Sequence, residues 1–119
     1  MTKILIVDDD RATSGLLKTV FEMEGFKTVA CPDAERVIAV MRRDKPDLVF
    51  MDYHLASTES LSIMIEIKAD KELQDTPVIM TSGLDHSEEC LAAGAVLFVL
   101  KPFRPTNLMV DIRAVLEGS

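Results

Sequence analysis

The chain has 119 residues, 48% of them apolar and 28% charged, with 5% aromatic residues and no tryptophan. That is enough chain for one domain with a real core and too little for two, and the mix excludes disordered and fibrous classes. Thirteen basic against twenty acidic residues leave a net charge of −7, the wrong sign for a surface that neutralises nucleic-acid phosphates.

Elements alternate along the chain. Lys3 to Asp8 reads as a β-branched strand running into the acids Asp8, Asp9 and Asp10. Residues 11–24 place Leu16, Leu17, Val20 and Phe21 at helical spacing, and Gly25 follows as a stop signal. A short strand is expected over 27–31. From Asp33 a helix carries Ala34, Val37, Ile38 and Met41 on one face. Asp47 to Asp52 is a third strand, 60–70 a helix, 77–82 a strand, 86–93 a short helix and 95–100 a strand. The last helix opens near Pro105, a favoured first-turn residue, and sets Leu108, Ile112, Val115 and Leu116 on one face. The strands are continuous apolar runs, which fits strands covered on both faces. Five β and five α segments in alternation therefore predict an α/β fold, a doubly wound parallel sheet with helices on both sides. The whole of 1–119 is expected to be one domain, with no output domain. No apolar run approaches the roughly 18–20 residues of a membrane span, and Met1 to Asp10 does not read as a signal peptide. Cys31 and Cys90 are too few for a disulfide framework and read as small buried residues in a reducing cytoplasm, the expected location.

Polar residues gather at the C-terminal ends of these strands: Asp8, Asp9 and Asp10, then Asp52, then Thr81, Ser82 and Gly83, then Lys101 and Pro102. In a parallel sheet those ends share one edge, where open α/β folds bind ligands. Any one of them reads equally as a cap or turn residue; the coherent set does not. Crowded carboxylates raise one another's pKa unless a cation neutralises them. An oxygen-only set suits Mg²⁺ with phosphate oxygens and water. A lysine and a hydroxyl would then meet the remaining phosphoryl oxygens, and a carboxylate beside the metal can act as nucleophile. The residues thus point to metal-dependent phosphoryl transfer onto an aspartate.

Ile6-Val-Asp8-Asp9, Phe50-Met-Asp52, Ser82-Gly83 and Lys101-Pro102-Phe103 together resemble the receiver domain of two-component response regulators, over essentially the whole chain. The resemblance implies a flavodoxin-like strand order 2-1-3-4-5. It implies that Asp52 accepts a phosphoryl group from a sensor histidine kinase or phosphotransfer protein. It also implies Mg²⁺ on Asp9, Asp52 and the His54 carbonyl, with Asp8 acting through water, and Lys101 pairing with Asp52 and the phosphoryl oxygens. The family hydroxyl lies five residues after the proline that opens strand four, which selects Ser82 over its neighbour Thr81; adjacent strand residues face opposite ways, so one of the pair serves. Phe98 takes the aromatic switch position, against the plainer reading of a core aromatic. Signalling is implied through the face of the fourth helix, fifth strand and fifth helix, to an unknown downstream protein or a second copy, with no direct nucleic-acid or membrane contact.

Three departures from the family stand out. Ala56 and Ser60 replace the usual proline and glycine of the loop after the acceptor, so a different loop path is expected, with the third helix capped by Ser57 or Thr58. The stretch from Ser82 to Gly94 is short, which predicts a shortened fourth helix. Ile65 stands where the family's third helix usually shows a polar residue. The remaining signals have bland readings: His54 as a solvated loop residue at the rim of the site, the seven methionines as core filling, Arg42, Arg43 and Lys45 as a solvated basic run, Asp10 as the start of the first helix, Gly118-Ser119 as a frayed end. Two other functions fit parts of the chain. Asp8-Asp9-Asp10 also resembles the opening motif of haloacid-dehalogenase-type phosphohydrolases, in which Asp8 is the nucleophile and Asp10 the acid/base. A phosphorylation-independent interaction module would keep the fold without the switch.

Overall fold

The computed structural model describes residues 1–56 and 58–118. Five strands, β1 (Lys3–Val7), β2 (Lys27–Cys31), β3 (Leu48–Asp52), β4 (Val78–Ser82) and β5 (Leu97–Leu100), alternate with helices α1 (Arg11–Met23), α2 (Val37–Asp44), α3 (Ser60–Ala69), α4 (Ser87–Ala92) and α5 (Pro105–Gly118). A single 3₁₀ turn, Ala34–Arg36, leads into α2. All strand pairs are parallel, in the order β2-β1-β3-β4-β5, as expected.

Side chains of one strand alternate between faces, and the core splits accordingly. Leu5, Val7, Val49, Met51, Val78 and Met80 pack under α2, α3 and α4, with Val37, Met41, Ile63, Ile67 and Cys90. Ile4, Ile6, Leu48, Phe50 and Ile79 pack under α1 and α5, with Leu17, Phe21, Leu108 and Ile112. β3 and β4 are buried throughout and β1 nearly so, whereas the edge strands β2 and β5 stay partly open. Met41, Met51, Met64, Met80 and Met109 fill the core; Met1 and Met23 are exposed.

Some local expectations change. The buried stripe of α1 is Ser14, Leu17 and Phe21, so Leu16 lies one position off it and is 62% exposed. α3 begins at Ser60, preceded by Glu59 with no side-chain cap, and not at an earlier cap; Ser57 lies outside the described residues. Ser60 takes helical backbone, and its hydroxyl donates to Tyr53 O at 2.7 Å. The serine thus holds by a side-chain bond the corner that a glycine would turn by its backbone. α4 is short, as expected. Arg42 is exposed, as expected of a solvated basic run, and also pairs with Asp70 and Glu72 beyond the end of α3. Lys45, the one described non-glycine residue with positive φ (48°), closes α2 in left-handed conformation. α5 runs to Gly118, and Ser119 lies outside the described residues.

Candidate functional site

Each strand of the sheet's C-terminal edge hands over its side chains as the chain leaves the hydrogen-bond ladder. β1 ends in Val7, and Asp8 beyond it is only 4% exposed. Its Oδ1 accepts from the Asp10 N–H at 2.9 Å, which turns the chain toward α1. Burial, and then the charges of Asp52 and Asp9, push the Asp8 carboxyl above its usual value, against the Asp10 hydrogen bond and Lys101. Desolvation is thus the larger cause, ahead of the carboxylate crowding that the sequence suggests. Asp9 is exposed, and its Oδ2 accepts from Ala56 N–H at 2.8 Å, tying the loop after β3 to the loop after β1. Asp10 caps α1: Oδ1 accepts from Ala12 N–H and Oδ2 from the Thr13 hydroxyl. These bonds hold its carboxyl below the usual range. Both its oxygens serve the helix, as a structural residue's would, which weighs against an acid/base role.

Asp52 closes β3 and is 8% exposed. Its two oxygens have different partners. Oδ1 accepts from His54 N–H at 3.0 Å, and Oδ2 from Lys101 Nζ at 2.8 Å. Lys101 follows β5 and is held there by its own N–H donating to Ser82 O at 2.8 Å, before a cis Lys101–Pro102 bond. Thr81 is the register partner of Asp52, and its hydroxyl donates across to Val99 O at 2.7 Å. The Ser82 side chain is fully buried and its Oγ accepts from Leu84 N–H at 3.2 Å. The two adjacent hydroxyls thus differ: the Thr81 proton is committed to β5, and among the described residues the Ser82 proton is not.

Phe98, the register partner of Met80, is half-buried against the core on the α2–α4 side. The His54 side chain is exposed at the rim, but its ring packs edge-on to Tyr53 at 5.0 Å and His86 at 5.5 Å, so it is not simply solvated. Tyr53, His86 and Glu89 also meet here through a stacked ring pair and two hydrogen bonds. Sequence reading misses them, because the loop after β3, the lead-in to α4 and that helix's first turn supply them and no spacing marks them. The cysteines are buried as expected.

The edge therefore offers one carboxylate, Asp52, with an ammonium on one oxygen, two further carboxylates from the β1 turn, and a buried hydroxyl from β4. Among the described residues no three metal-ligating side chains converge into a ready-made cage. The donors at this edge are all oxygens, the ligand type that Mg²⁺ takes together with water and phosphate.

Comparison with known proteins agrees with this fold. The profile of the response regulator receiver domain matches residues 4–113. The transcriptional regulatory protein CpxR of Escherichia coli is 34% identical over 122 residues, covering 100% of this chain and 51% of that protein. The phosphate regulon transcriptional regulatory protein PhoB of Pseudomonas aeruginosa is 31% identical over 117 residues, covering 96% and 51%. The chain thus spans about half the length of the curated relatives it matches. Among solved structures, the CheY-like receiver domain protein of Methanospirillum hungatei is 26% identical with a TM-score of 0.90, covering 99% of this chain and 95% of that one. The chemotaxis protein CheY4 of Vibrio cholerae, at 21% identity and a TM-score of 0.89 over 97% and 98% of the two chains, shares the fold. Matched along nearly its whole length, the chain belongs to the response regulator receiver domain family of two-component signalling.

Proposed function

We propose that the chain is a phosphorylation-controlled switch that takes a phosphoryl group onto Asp52. The observation that carries this reading is the Lys101 Nζ–Asp52 Oδ2 pair at 2.8 Å, set beside the β1 acids. An Asp52 oxygen forms the new P–O bond as the P–N bond of a donor phosphohistidine breaks, and the departing imidazole nitrogen takes up a proton. Lys101 is held by its backbone bond to β4, so its ammonium can follow charge from the carboxylate onto the phosphoryl oxygens. Ser82 supplies the hydroxyl for another oxygen; its uncommitted proton favours it over Thr81. Asp9, Asp52 and the His54 carbonyl would hold Mg²⁺, with Asp8 acting through water. The ion when bound neutralises the carboxylates and the transferring group. Phe98 is the switch aromatic, whose packing against the core would differ between two populations.

The chain is regulatory and not a conventional enzyme, since the only chemistry assigned to it is making and losing its own acyl phosphate. A sensor histidine kinase or phosphotransfer protein is the donor. The α4-β5-α5 face meets a downstream protein or a second copy. No described helix is long and apolar enough to cross a membrane, and the cytoplasm is the proposed place of action.

Intact mass after incubation with acetyl phosphate and Mg²⁺ tests the assignment. One phosphoryl adduct is expected in the wild type and none in Asp52→Asn or without Mg²⁺. An adduct surviving in Asp52→Asn would move the nucleophile to Asp8 and favour the phosphohydrolase reading. If neither an adduct nor a BeF₃⁻-induced shift in amide spectra appeared, a phosphorylation-independent module would be the better account.

A further inference from the structure

The proposed chemistry leaves three well-ordered side chains unused, and together they join the two loops beside Asp52. The ring of Tyr53, next after the acceptor, lies on the ring of His86 with centroids 3.9 Å apart and planes 7° from parallel. His86 is the residue before α4, and Glu89 is in that helix's first turn. One Glu89 oxygen accepts from the Tyr53 hydroxyl at 3.0 Å and the other contacts His86 Nδ1 at 2.7 Å. A carboxylate oxygen only accepts, so Nδ1 carries the proton. His86 Nε2 is then buried, with no partner among the described residues. An unpaired buried nitrogen is unfavourable, so this arrangement of the clasp carries a cost. Clefts of about 420 Å³, beside Tyr53 and Leu61, and about 620 Å³, beside Asp85 and Glu88, border the clasp on its two sides. Open space thus adjoins the rings.

The anchoring of the two loops gives the clasp its meaning. The N–H of His54, adjacent to Tyr53, donates to Asp52 Oδ1 at 3.0 Å. On the other side the N–H of Leu84, two residues before His86, donates to Ser82 Oγ at 3.2 Å. Asp52 and Ser82 are the two groups whose bonding changes most when a phosphoryl group arrives. Acyl phosphate formation removes the carboxylate charge that anchors one loop, and the hydroxyl that anchors the other gains a phosphoryl oxygen to donate to. The clasp spans the loops whose anchors change in that one event.

We propose that the Tyr53–His86–Glu89 clasp carries the state of Asp52 directly to α4, as a route additional to Ser82 and Phe98. Tyr53 and His86 are positioning residues in this role, acting through the loops that bear them. The proposal rests on Asp52 being the phosphoacceptor. Amide spectra of the full chain, titrated with Mg²⁺ and BeF₃⁻, test it in the wild type, Tyr53→Ala, His86→Ala and the double variant. Signals of Asp9, Asp52 and Lys101 are expected to move in all four proteins. Displacement of the Ser87–Ala92 signals should fall about twofold or more in each single variant and no further in the double, because residues of one link are not additive. Undiminished α4 displacement, or losses that simply add, would reduce the clasp to packing. The wild type gives a reading free of substitution, since Tyr53 is the sole tyrosine and there is no tryptophan. Its emission should change when BeF₃⁻ is added over Mg²⁺ alone, and constant emission overturns the proposal. Wild-type Asp52 and Lys101 signals that stay still would remove the phosphoacceptor reading itself, an outcome distinct from a moving site with an indifferent α4.

Discussion

At the scale of single residues, the chain separates the group proposed to react from nucleophiles kept out of reach. Asp52 presents one oxygen to an ammonium at a sheet edge, whereas Cys90 sits fully buried on the inner face of α4. Burial, aided by the Glu89 charge, pushes the Cys90 thiol up to about 11, above its ordinary value. The folded state therefore holds this proton more tightly than the unfolded chain does. The contribution to stability is full below about pH 9 and is lost as pH rises through about 11. Denaturant midpoints measured from pH 8 to pH 10.5 should fall more steeply in the wild type than in Cys90→Ala. Parallel slopes would show that other groups carry the alkaline loss. The same burial makes both cysteines inert: a thiol-reactive dye at neutral pH should label them only after unfolding.

At the scale of elements, the loop after β3 shows how a substitution can be compensated by a different kind of bond. The Ser60 hydroxyl donates to Tyr53 O in the loop that follows Asp52. Ser60→Ala leaves that carbonyl without its donor in a buried corner and should cost about 1–2 kcal/mol. Denaturant unfolding measures this directly, and a midpoint unchanged from wild type would mean that water replaces the bond. Ser60 also marks where sequence reading stops. Element order, parallel pairing and the two covered faces are legible because long apolar runs and strong helical periods dominate the chain. The start of α3 is read two ways, at 60 from the apolar pattern and earlier from the altered loop, and the helix begins at Ser60, whose hydroxyl reaches a carbonyl seven residues back. Leu16 illustrates a second limit: residues 16, 17, 20 and 21 fit a helical face as well as the Ser14, Leu17 and Phe21 stripe that is actually buried. The acids, Asp52 and Lys101 are legible at strand ends because a parallel sheet brings those ends together. The Tyr53–His86 stack is invisible in sequence because two loops of unpredictable path create it.

For the molecule as a whole, the parallel topology concentrates negative charge. The net charge is −7, and Asp8, Asp9 and Asp52 share one edge, with Lys101 on Asp52 and the Ala56 N–H on Asp9 as their local relief. Burial of Asp8 holds its carboxyl above 3.8, so the metal-free fold gains a little stability below the unfolded value and loses it as pH rises through the folded one. A divalent cation should reverse that balance, because metal ligation requires the deprotonated acid. Any ligand that binds only the folded state stabilises it by mass action, about 2.7 kcal/mol at 100 times its Kd. For a chain of this length that corresponds to a rise in Tm on the order of 10 °C. Calorimetry in MgCl₂ against NaCl of equal ionic strength separates site binding from general screening. The difference should be large at neutral pH, shrink on acidification as Asp8 takes up its proton, and nearly vanish in Asp9→Asn. A Mg²⁺ increment of equal size in Asp9→Asn would mean that the cation acts on the charge of the whole surface, and that the acidic edge is not the site that holds it.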